Sequence, residues 1–280
     1  MRLTLCQLFN SMSGDGKHAD GTFSAGMFDA GPGDTGSAET GNTQGELFDE
    51  TDKRGNWFSE PDEADIAVIT ALHSSAGIDI AVLPPNARRL FELSVNTLEA
   101  IVHAWMSEFP ITAEIIRFGQ KTLAAADMGN RLAADTAATN RSDPDVQAVL
   151  EAAYKVWHET NRLLGLLRFY PDEDGVYIAL CEPDHFTLPA LGPHFRERFG
   201  QTPWAIIDIK RRLCMRCSNQ SLELSSIDKN PAFPENPPNG EWENLWRHYH
   251  KTINNESRNN PDLQRRFMPK RYWKYLTERQ

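Results

Sequence analysis

Apolar residues recur at the spacing of an α-helix through much of the chain beyond residue 61. Ile66, Ile69 and Leu72 fall on one face of a predicted helix that begins at Asp62. Pro110 ends a second apolar stripe and Pro144 begins the longest one, because proline suits only the first turn of a helix. The pattern therefore predicts further helices over residues 87–108, 112–128 and about 145–167.

The pattern changes at Arg168, where short stretches rich in β-branched and aromatic residues replace the helical spacing. A turn at residues 172–175 comes first, and a helix closed by Gly200 separates the first predicted strand from the next. The predicted strands cover residues 176–183, 204–210, 213–217 and 221–225, and the predicted helix covers residues 188–200. Helical spacing returns at Glu241, with interruptions at two later prolines.

This order of elements predicts an α+β fold. We expect it to be mainly helical, with a small, mostly antiparallel sheet over about residues 168–225 and with helices before and after the sheet. Residues 62–280 are predicted to form one domain. Residues 1–61 are rich in Gly, Ser, Thr and Asp, which predicts a poorly ordered arm with two short docking segments, residues 20–30 and 47–51.

Charge is distributed unevenly along the chain, whose formal net charge is −10. Residues 1–66 carry 13 acidic and 4 basic side chains. By contrast, residues 196–216 carry 6 basic and 2 acidic side chains, and residues 258–280 carry 7 and 2. Phosphate binding responds to such local fields, so a nucleic-acid partner is compatible with the acidic total. The alternative is that the two basic stretches are solvated helix faces.

Composition excludes several classes of protein. The chain has 280 residues with 40% apolar content, enough to bury a core, and no stretch approaches the roughly 18 apolar residues of a membrane helix. The N-terminal segment lacks the apolar run of a signal peptide, so we expect a cytoplasmic protein without a membrane partner. Because no Walker, Rossmann, GxSxG or HExxH motif occurs, we predict no cofactor.

The four cysteines are too few for a disulfide framework in a chain of this length. Cys214 and Cys217 form a CxxC pair, but no second pair follows at the spacing of a zinc site. Zinc binding and ordinary buried thiols on a strand are the two interpretations, and we predict no metal site.

The densest group of reactive side chains follows the first predicted strand: Glu182, Asp184 and His185, with His194 further along. An imidazole at a strand-to-helix junction can act as a general acid or base, with a neighbouring carboxylate to orient it. The same groups could bind a divalent metal. In the structural alternative, Asp184 caps the following helix and His185 satisfies a buried carbonyl. These four residues are the candidates for catalysis.

Basic residues before and after this group are candidates for phosphate binding. Arg162, Arg168 and Arg198 carry guanidinium groups whose planar donors match phosphate oxygens. Internal pairing with acidic residues of the same region is the alternative. Both outcomes stay open at this point.

The C-terminal segment RRFMPKRYWKYL interleaves cations with aromatic rings. Cations beside stacking rings are typical of single-stranded or flipped-base binding. Some of these rings could instead belong to the core. The candidates for nucleic-acid binding here are Arg265, Lys270, Arg271, Tyr272 and Trp273.

Four segments of the chain resemble one bacterial family of DNA repair or DNA metabolism that carries a domain of unknown function. They are NRLLGLLRF (161–169), VYIALCEPDHFTLPALGPHFRERF (176–199), WAIIDIKRR (204–212) and RNNPDLQRRFMPKRYWKYLTE (258–278). The resemblance implies a link to a radical-SAM protein of DNA modification or repair, and related domains occur fused to uracil-DNA-glycosylase-like modules. Asn161 stands where the family places a histidine before the arginine.

Three hypotheses of function follow. The first is a DNA-repair or DNA-metabolism protein that binds single-stranded DNA, damaged duplex or a modified base and acts with a radical-SAM partner. It places Arg198, Lys270 and Arg271 in one basic groove. The second is a non-catalytic adaptor that docks a repair enzyme. The third is a small-molecule hydrolase that uses Glu182, Asp184 and His185, which would need a deep closed pocket.

Overall fold

The computed structural model describes residues 3–13, 62–75, 77–227, 241–255 and 260–279. Within these ranges the fold is α+β and mainly helical, with a five-stranded sheet between N- and C-terminal helices, so the predicted fold class is confirmed. The two expected docking segments, residues 20–30 and 47–51, lie outside the described residues. Among the described residues, no helix combines the length and the apolar character needed to cross a membrane.

The helices before the sheet pack around one apolar core. They are α1 (Leu5–Asn10), α2 (Glu63–Leu72), α3 (Pro85–Leu93), α4 (Val95–Met106), α5 (Thr112–Met128), α6 (Arg131–Thr139) and α7 (Pro144–Leu166). Helices α4 and α7 lie side by side at the centre, and every α4 residue from Ala100 to Met106 is buried. Asp62 and Asp143 cap the helices that follow them, because each carboxylate accepts a backbone N–H of its own first turn.

Two helical features differ from the prediction. The single helix expected over residues 87–108 is broken at Ser94, whose extended backbone ends α3 and begins α4. Helix α6 was not predicted, because its Ala- and Thr-rich sequence has no strong apolar stripe. It begins at Asn130, whose side chain accepts a hydrogen bond from the Ala133 amide.

Helix α1 is a further departure, because it belongs to the core although the sequence places it in the acidic arm. Leu5, Leu8 and Phe9 are buried. The Leu5 amide donates to Asp65 Oδ1 at 2.8 Å, which joins α1 to α2. The described part of the arm is therefore ordered and packed on the helices that follow it.

The sheet has the order β1-β2-β3-β4-β5. Its strands are β1 (Tyr170–Pro171), β2 (Tyr177–Cys181), β3 (Trp204–Asp208), β4 (Leu213–Ser218) and β5 (Ser221–Ser226). Helix α8 (Leu188–Phe199) connects β2 to β3, and these two strands are parallel. The other three strand pairs are antiparallel, as expected of a mostly antiparallel sheet.

The two cysteines of the CxxC pair lie on opposite faces of this sheet, because side chains three residues apart in a strand point in opposite directions. Cys217 packs with Trp204 in the cluster under α8, whereas Cys214 packs with Ile207 on the other face. Burial raises the pKa of both thiols. One metal ion cannot bind both sulfur atoms, so the structure favours the buried-thiol interpretation.

The parallel pairing of β2 and β3 brings their carboxyl ends to the same edge of the sheet. The C-terminal elements are α9 (Glu241–Ile253), α10 (Pro261–Phe267) and two 3₁₀ helices, Lys270–Tyr275 and Thr277–Arg279. The first of these 3₁₀ helices passes beside β2. It therefore adds side chains to the edge where both strands end.

Candidate functional site

Polar side chains from five separate parts of the chain meet at the carboxyl ends of β2 and β3. Glu182 to His185 follow β2, and Lys210 and Arg211 follow β3. We define the strand-end site by its charged and polar members: Glu108, Glu159, Glu182, Asp184, His185, Asp208, Lys210, Arg211, Arg271, Tyr272, Lys274 and Tyr275.

Glu159 of α7 lies at the centre of the strand-end site, and its residue surface is 3% exposed. Its carboxylate accepts the backbone amides of Asp184 and His185, both at 2.8 Å. It also accepts the Tyr272 hydroxyl at 2.6 Å and an Arg271 Nη2–H at 2.9 Å. Four donors therefore hold the loop after β2 and the C-terminal segment to α7.

These donors also keep Glu159 ionised. Burial alone raises the pKa of this carboxyl, but the Tyr272 hydroxyl and the two backbone amides outweigh it, so the pKa lies below its ordinary value. Burial and the Glu159 charge raise the pKa of Tyr272, which stays a donor. A carboxylate whose lone pairs are already engaged is a poor general base, so Glu159 positions its neighbours.

Arg271 joins the buried carboxylate to the surface. Its guanidinium lies 2.9 Å from Glu159 Oε1 and 2.7 Å from Asp184 Oδ2. Its side chain is 39% exposed, and that of Asp184 is 52% exposed. The guanidinium plane is therefore held in one orientation while part of it faces solvent.

Arg211 fixes the loop after β3 to the loop after β2. Its side chain is 7% exposed and pairs with Glu108 at 2.6 Å and with Asp208 at 2.7 Å. It also donates to the Pro183 and Asp184 carbonyls. Burial lowers the pKa of this group, but the two carboxylates outweigh it and the pKa is raised. Arg211 is thus part of the frame of the site.

The imidazole of His185 is buried and neutral. Its Nδ1 accepts the Glu108 amide at 3.3 Å, which leaves Nε2 as the protonated nitrogen. Burial lowers the pKa of the ring, although the nearby Glu159 carboxylate raises it in part. The ring also packs against Phe109 with their centroids 5.4 Å apart. This tautomer can donate a hydrogen bond from Nε2, but its Nδ1 is already engaged.

Glu182 is paired within the site as well. Its Oε1 accepts from Lys274 Nζ and from the Tyr275 hydroxyl, both at 2.7 Å. Burial raises the pKa of Glu182, but these two donors outweigh it and the pKa is lowered. The site therefore supplies hydrogen-bond donors and half-exposed cations, which suits an anionic ligand better than it suits proton abstraction.

Two predicted residues lie away from this edge. Helix α8 begins near His185 and returns to the start of β3, so its last turn lies toward the opposite edge of the sheet. Arg198 is exposed in that last turn. The groove predicted to contain both Arg198 and Arg271 therefore does not form. His194 is exposed midway along α8, where its ring contacts that of Phe195, and it makes none of the hydrogen bonds described for the other three catalytic candidates.

The other predicted nucleic-acid residues have varied surroundings. Arg168 pairs with Glu278 at 2.7 Å, and Arg265 pairs with Asp262. The guanidinium groups of Arg168 and Arg265 are thus engaged with carboxylates of the same chain. Arg162 donates to the Arg266 carbonyl, Lys270 is exposed, Tyr272 is buried, and the half-buried Trp273 donates to the Met268 carbonyl.

Residues 121–278, more than half of the chain, match the model of a domain of unknown function, DUF4130. The chain belongs to the DUF4130 family. The DUF4130 match contains α7, the sheet, α8 and the C-terminal segment, and hence nearly the whole strand-end site. Glu108 precedes the match. No curated protein and no solved structure matches the chain.

Sequence reasoning did not select seven of the twelve residues of the strand-end site, among them Glu108, Glu159 and Arg211. Glu159 carried a usable signal, because it falls on the apolar stripe of α7 between Val156 and Leu163. A lone carboxylate on a buried helix face is expected to have internal partners. Glu108 and Arg211 carried no such signal, since their pairing joins residues 103 positions apart.

Proposed function

We propose that this DUF4130 protein acts in DNA metabolism by binding DNA at the strand-end site. The observation that carries the proposal is the half-exposed guanidinium of Arg271, held between Glu159 and Asp184. A guanidinium with a fixed plane is pre-organised for a phosphate group, because less side-chain freedom is lost on binding. Lys210 and Lys274, both exposed, lie beside it.

The charges of the strand-end site limit how it can bind DNA. Its four basic side chains, Lys210, Arg211, Arg271 and Lys274, face five acidic ones: Glu108, Glu159, Glu182, Asp184 and Asp208. Long-range attraction of a polyanion is therefore weak. We expect contacts to one or two phosphates, and hence a shallow slope of about −1 for log K against log salt.

Binding assays with Arg271 variants test this function. We expect the full chain to bind fluorescein-labelled single-stranded DNA, and Arg271→Gln to weaken that binding by about 10-fold, since a charge-assisted hydrogen bond is lost. Fluorescence anisotropy at several salt concentrations measures both the affinity and its slope.

A control variant separates binding from folding. Arg89→Gln removes a cation paired with Asp127, away from the strand-end site, so its binding should match the wild type. No DNA binding by the wild type, even at low salt, would exclude the proposed function. Equal losses in Arg271→Gln and Arg89→Gln would exclude Arg271 as the phosphate contact.

A non-catalytic adaptor is the second candidate function. It is favoured because Glu159, Glu182 and His185 are all engaged in internal hydrogen bonds. Asp184 is paired with Arg271 as well, so each base that the hydrolase hypothesis names is already engaged, which disfavours that hypothesis. In the adaptor role, the strand-end site holds DNA while a radical-SAM partner performs the chemistry. Affinity purification of the full chain should recover that partner, and repeated recovery of none would count against the adaptor.

A further inference from the structure

Helix α7 carries large aromatic side chains on its exposed face. Tyr154 is 61% exposed and Trp157 is 51% exposed. Their rings are stacked, with centroids 6.2 Å apart and planes inclined by 30°. His158 contacts both rings edge-on, at 5.6 and 6.5 Å. We call Tyr154, Trp157 and His158 the α7 aromatic face.

These rings do not belong to the core. The apolar stripe of α7 that packs inward contains Val149, Val156 and Leu163, all buried. The aromatic face lies on the outer side of the same helix. Exposed aromatic rings grouped in this way mark a binding surface more often than isolated apolar residues do.

Cations lie between the α7 aromatic face and the strand-end site. With about 3.6 residues per turn, Lys155, Glu159 and Arg162 form one row along the helix. His158 and Tyr154 lie in the neighbouring row. Because Glu159 belongs to the strand-end site, the row of Lys155 and Arg162 borders both surfaces.

A further ring connects the two surfaces. Lys155 Nζ lies 4.4 Å from the centroid of the Phe109 ring. Phe109 is 38% exposed and packs on His185 of the strand-end site. Lys155 and Phe109 therefore lie between the α7 aromatic face and His185.

Helix α9 has a similar aromatic pair with different surroundings. Trp246 and Tyr249 lie 5.8 Å apart with planes inclined by 34°. However, Trp246 donates to Glu278, and the Arg168 guanidinium lies 5.9 Å from its ring. The Trp246 indole N–H and the neighbouring Arg168 guanidinium are thus both engaged with Glu278. This pair is a suitable control for the one on α7.

We propose that the α7 aromatic face stacks the bases of single-stranded DNA, with Lys155 and Arg162 beside the phosphates. This inference rests on the proposed function and adds where the unpaired strand lies and how it reaches Arg271. Stacking on aromatic rings tolerates any base, because every base has a π face, and cations follow the backbone. A duplex hides its base faces and cannot use this surface.

Leucine substitutions in the full chain test whether the α7 aromatic face stacks bases. We expect Tyr154→Leu and Trp157→Leu each to weaken binding to a labelled oligothymidine by roughly 10-fold, within the range for loss of one stacked base. Tyr249→Leu, in the α9 pair, should bind like the wild type. Circular dichroism melting of each variant checks the fold, and the melting temperature should match that of the wild type because the substituted side chains are exposed.

The outcomes separate this inference from the proposed function. If the wild type binds DNA and the two α7 variants bind equally well, base stacking on the α7 aromatic face is excluded, whereas DNA binding at Arg271 is not. If they lose binding to duplex DNA as much as to the single strand, stacking of unpaired bases is also excluded. If the wild type binds no DNA, both proposals fail. Selective loss of single-strand binding in the two α7 variants, with Tyr249→Leu unaffected, supports base stacking on the α7 aromatic face.

Discussion

Glu159 is a carboxylate buried on the inner face of α7, where an unpaired charge would cost several kcal/mol. Four donors from two distant segments remove that cost. In the unfolded chain the same carboxylate is solvated by water. Its pairing therefore makes the loop after β2 and the C-terminal segment dependent on each other.

We expect Glu159→Gln to lower the free energy of unfolding by about 3 kcal/mol, because Arg271 loses one of its two charged partners and one buried donor loses its acceptor. Urea unfolding measures the change. Glu151→Gln is the matched control, since Glu151 lies exposed on the same helix and accepts only a surface bond from Gln147. An unchanged stability in Glu159→Gln would show that the network adds nothing to the fold.

His73 and His103 are a second internal pair, outside the strand-end site. Their Nε2 atoms lie 3.1 Å apart, and His73 Nδ1 lies 2.8 Å from the Ile69 carbonyl. Across the short Nε2–Nε2 distance one imidazole donates and the other accepts. Burial lowers the pKa of both rings, and proximity to His73 lowers that of His103 further, to about 4.

This pair predicts a loss of stability in acid. The unfolded chain binds protons below a pH of about 6.5, whereas folded His103 does so only near 4, so stability falls as the pH drops through that window. Between pH 7 and pH 5 the loss due to His103 is about 2 kcal/mol. We expect His103→Gln to remove that part of the pH dependence, measured by urea unfolding at both pH values.

The wild type, unfolded at both pH values beside the variant, supplies the reference slope. If His103→Gln instead keeps the slope of the wild type, the source of the acid sensitivity lies elsewhere.

At the level of helices and strands, predictions succeeded where local periodicity was strong. The helix over residues 112–128 and the helix from Pro144 agree with the structure to within about two residues, because both have a capped or proline-marked start and a continuous apolar stripe. Helix α1 was not predicted, because its six residues are too few to show a helical periodicity of apolar positions. Its place is set by the partners that bury it.

We expect Leu8→Ala in α1 to lower the free energy of unfolding by about 3 kcal/mol, because Leu8 is fully buried and its removal leaves a cavity. Cys6→Ala on the exposed side of the same helix is the matched control. Thermal and urea unfolding of the full chain measure both. A loss below about 0.5 kcal/mol in Leu8→Ala would mean that α1 is dispensable for the core.

Across the whole molecule, the strand-end site depends on topology. The parallel step from β2 through α8 to β3 brings two loops to one edge, and the C-terminal segment crosses that edge. The sequence predicted that the residues after β2, Glu182 to His185, form a reactive group. It did not predict which residues from other segments lie beside them. Electrostatic pairing over this distance has no local signature, since Arg271 and Glu159 are 112 positions apart.

The pairing of charges could not be predicted from the local sequence either. Counting local charge predicted a basic C-terminal surface, yet Arg271 and Lys274 meet carboxylates from α7 and from the loop after β2. Exposed aromatic rings could not be recognised in advance either, because Tyr154 and Trp157 look like core residues until the inner face of α7 is known. Both features therefore had to be found in three dimensions.

Periodicity, capping residues and prolines were sufficient to establish the α+β class, the long helices and the strands, because backbone preferences act over a few residues. Folding alone settled which cations are neutralised, which aromatic rings face solvent and which loops share an edge. Those properties depend on contacts between residues far apart in the chain, and such contacts form only when the chain buries its core.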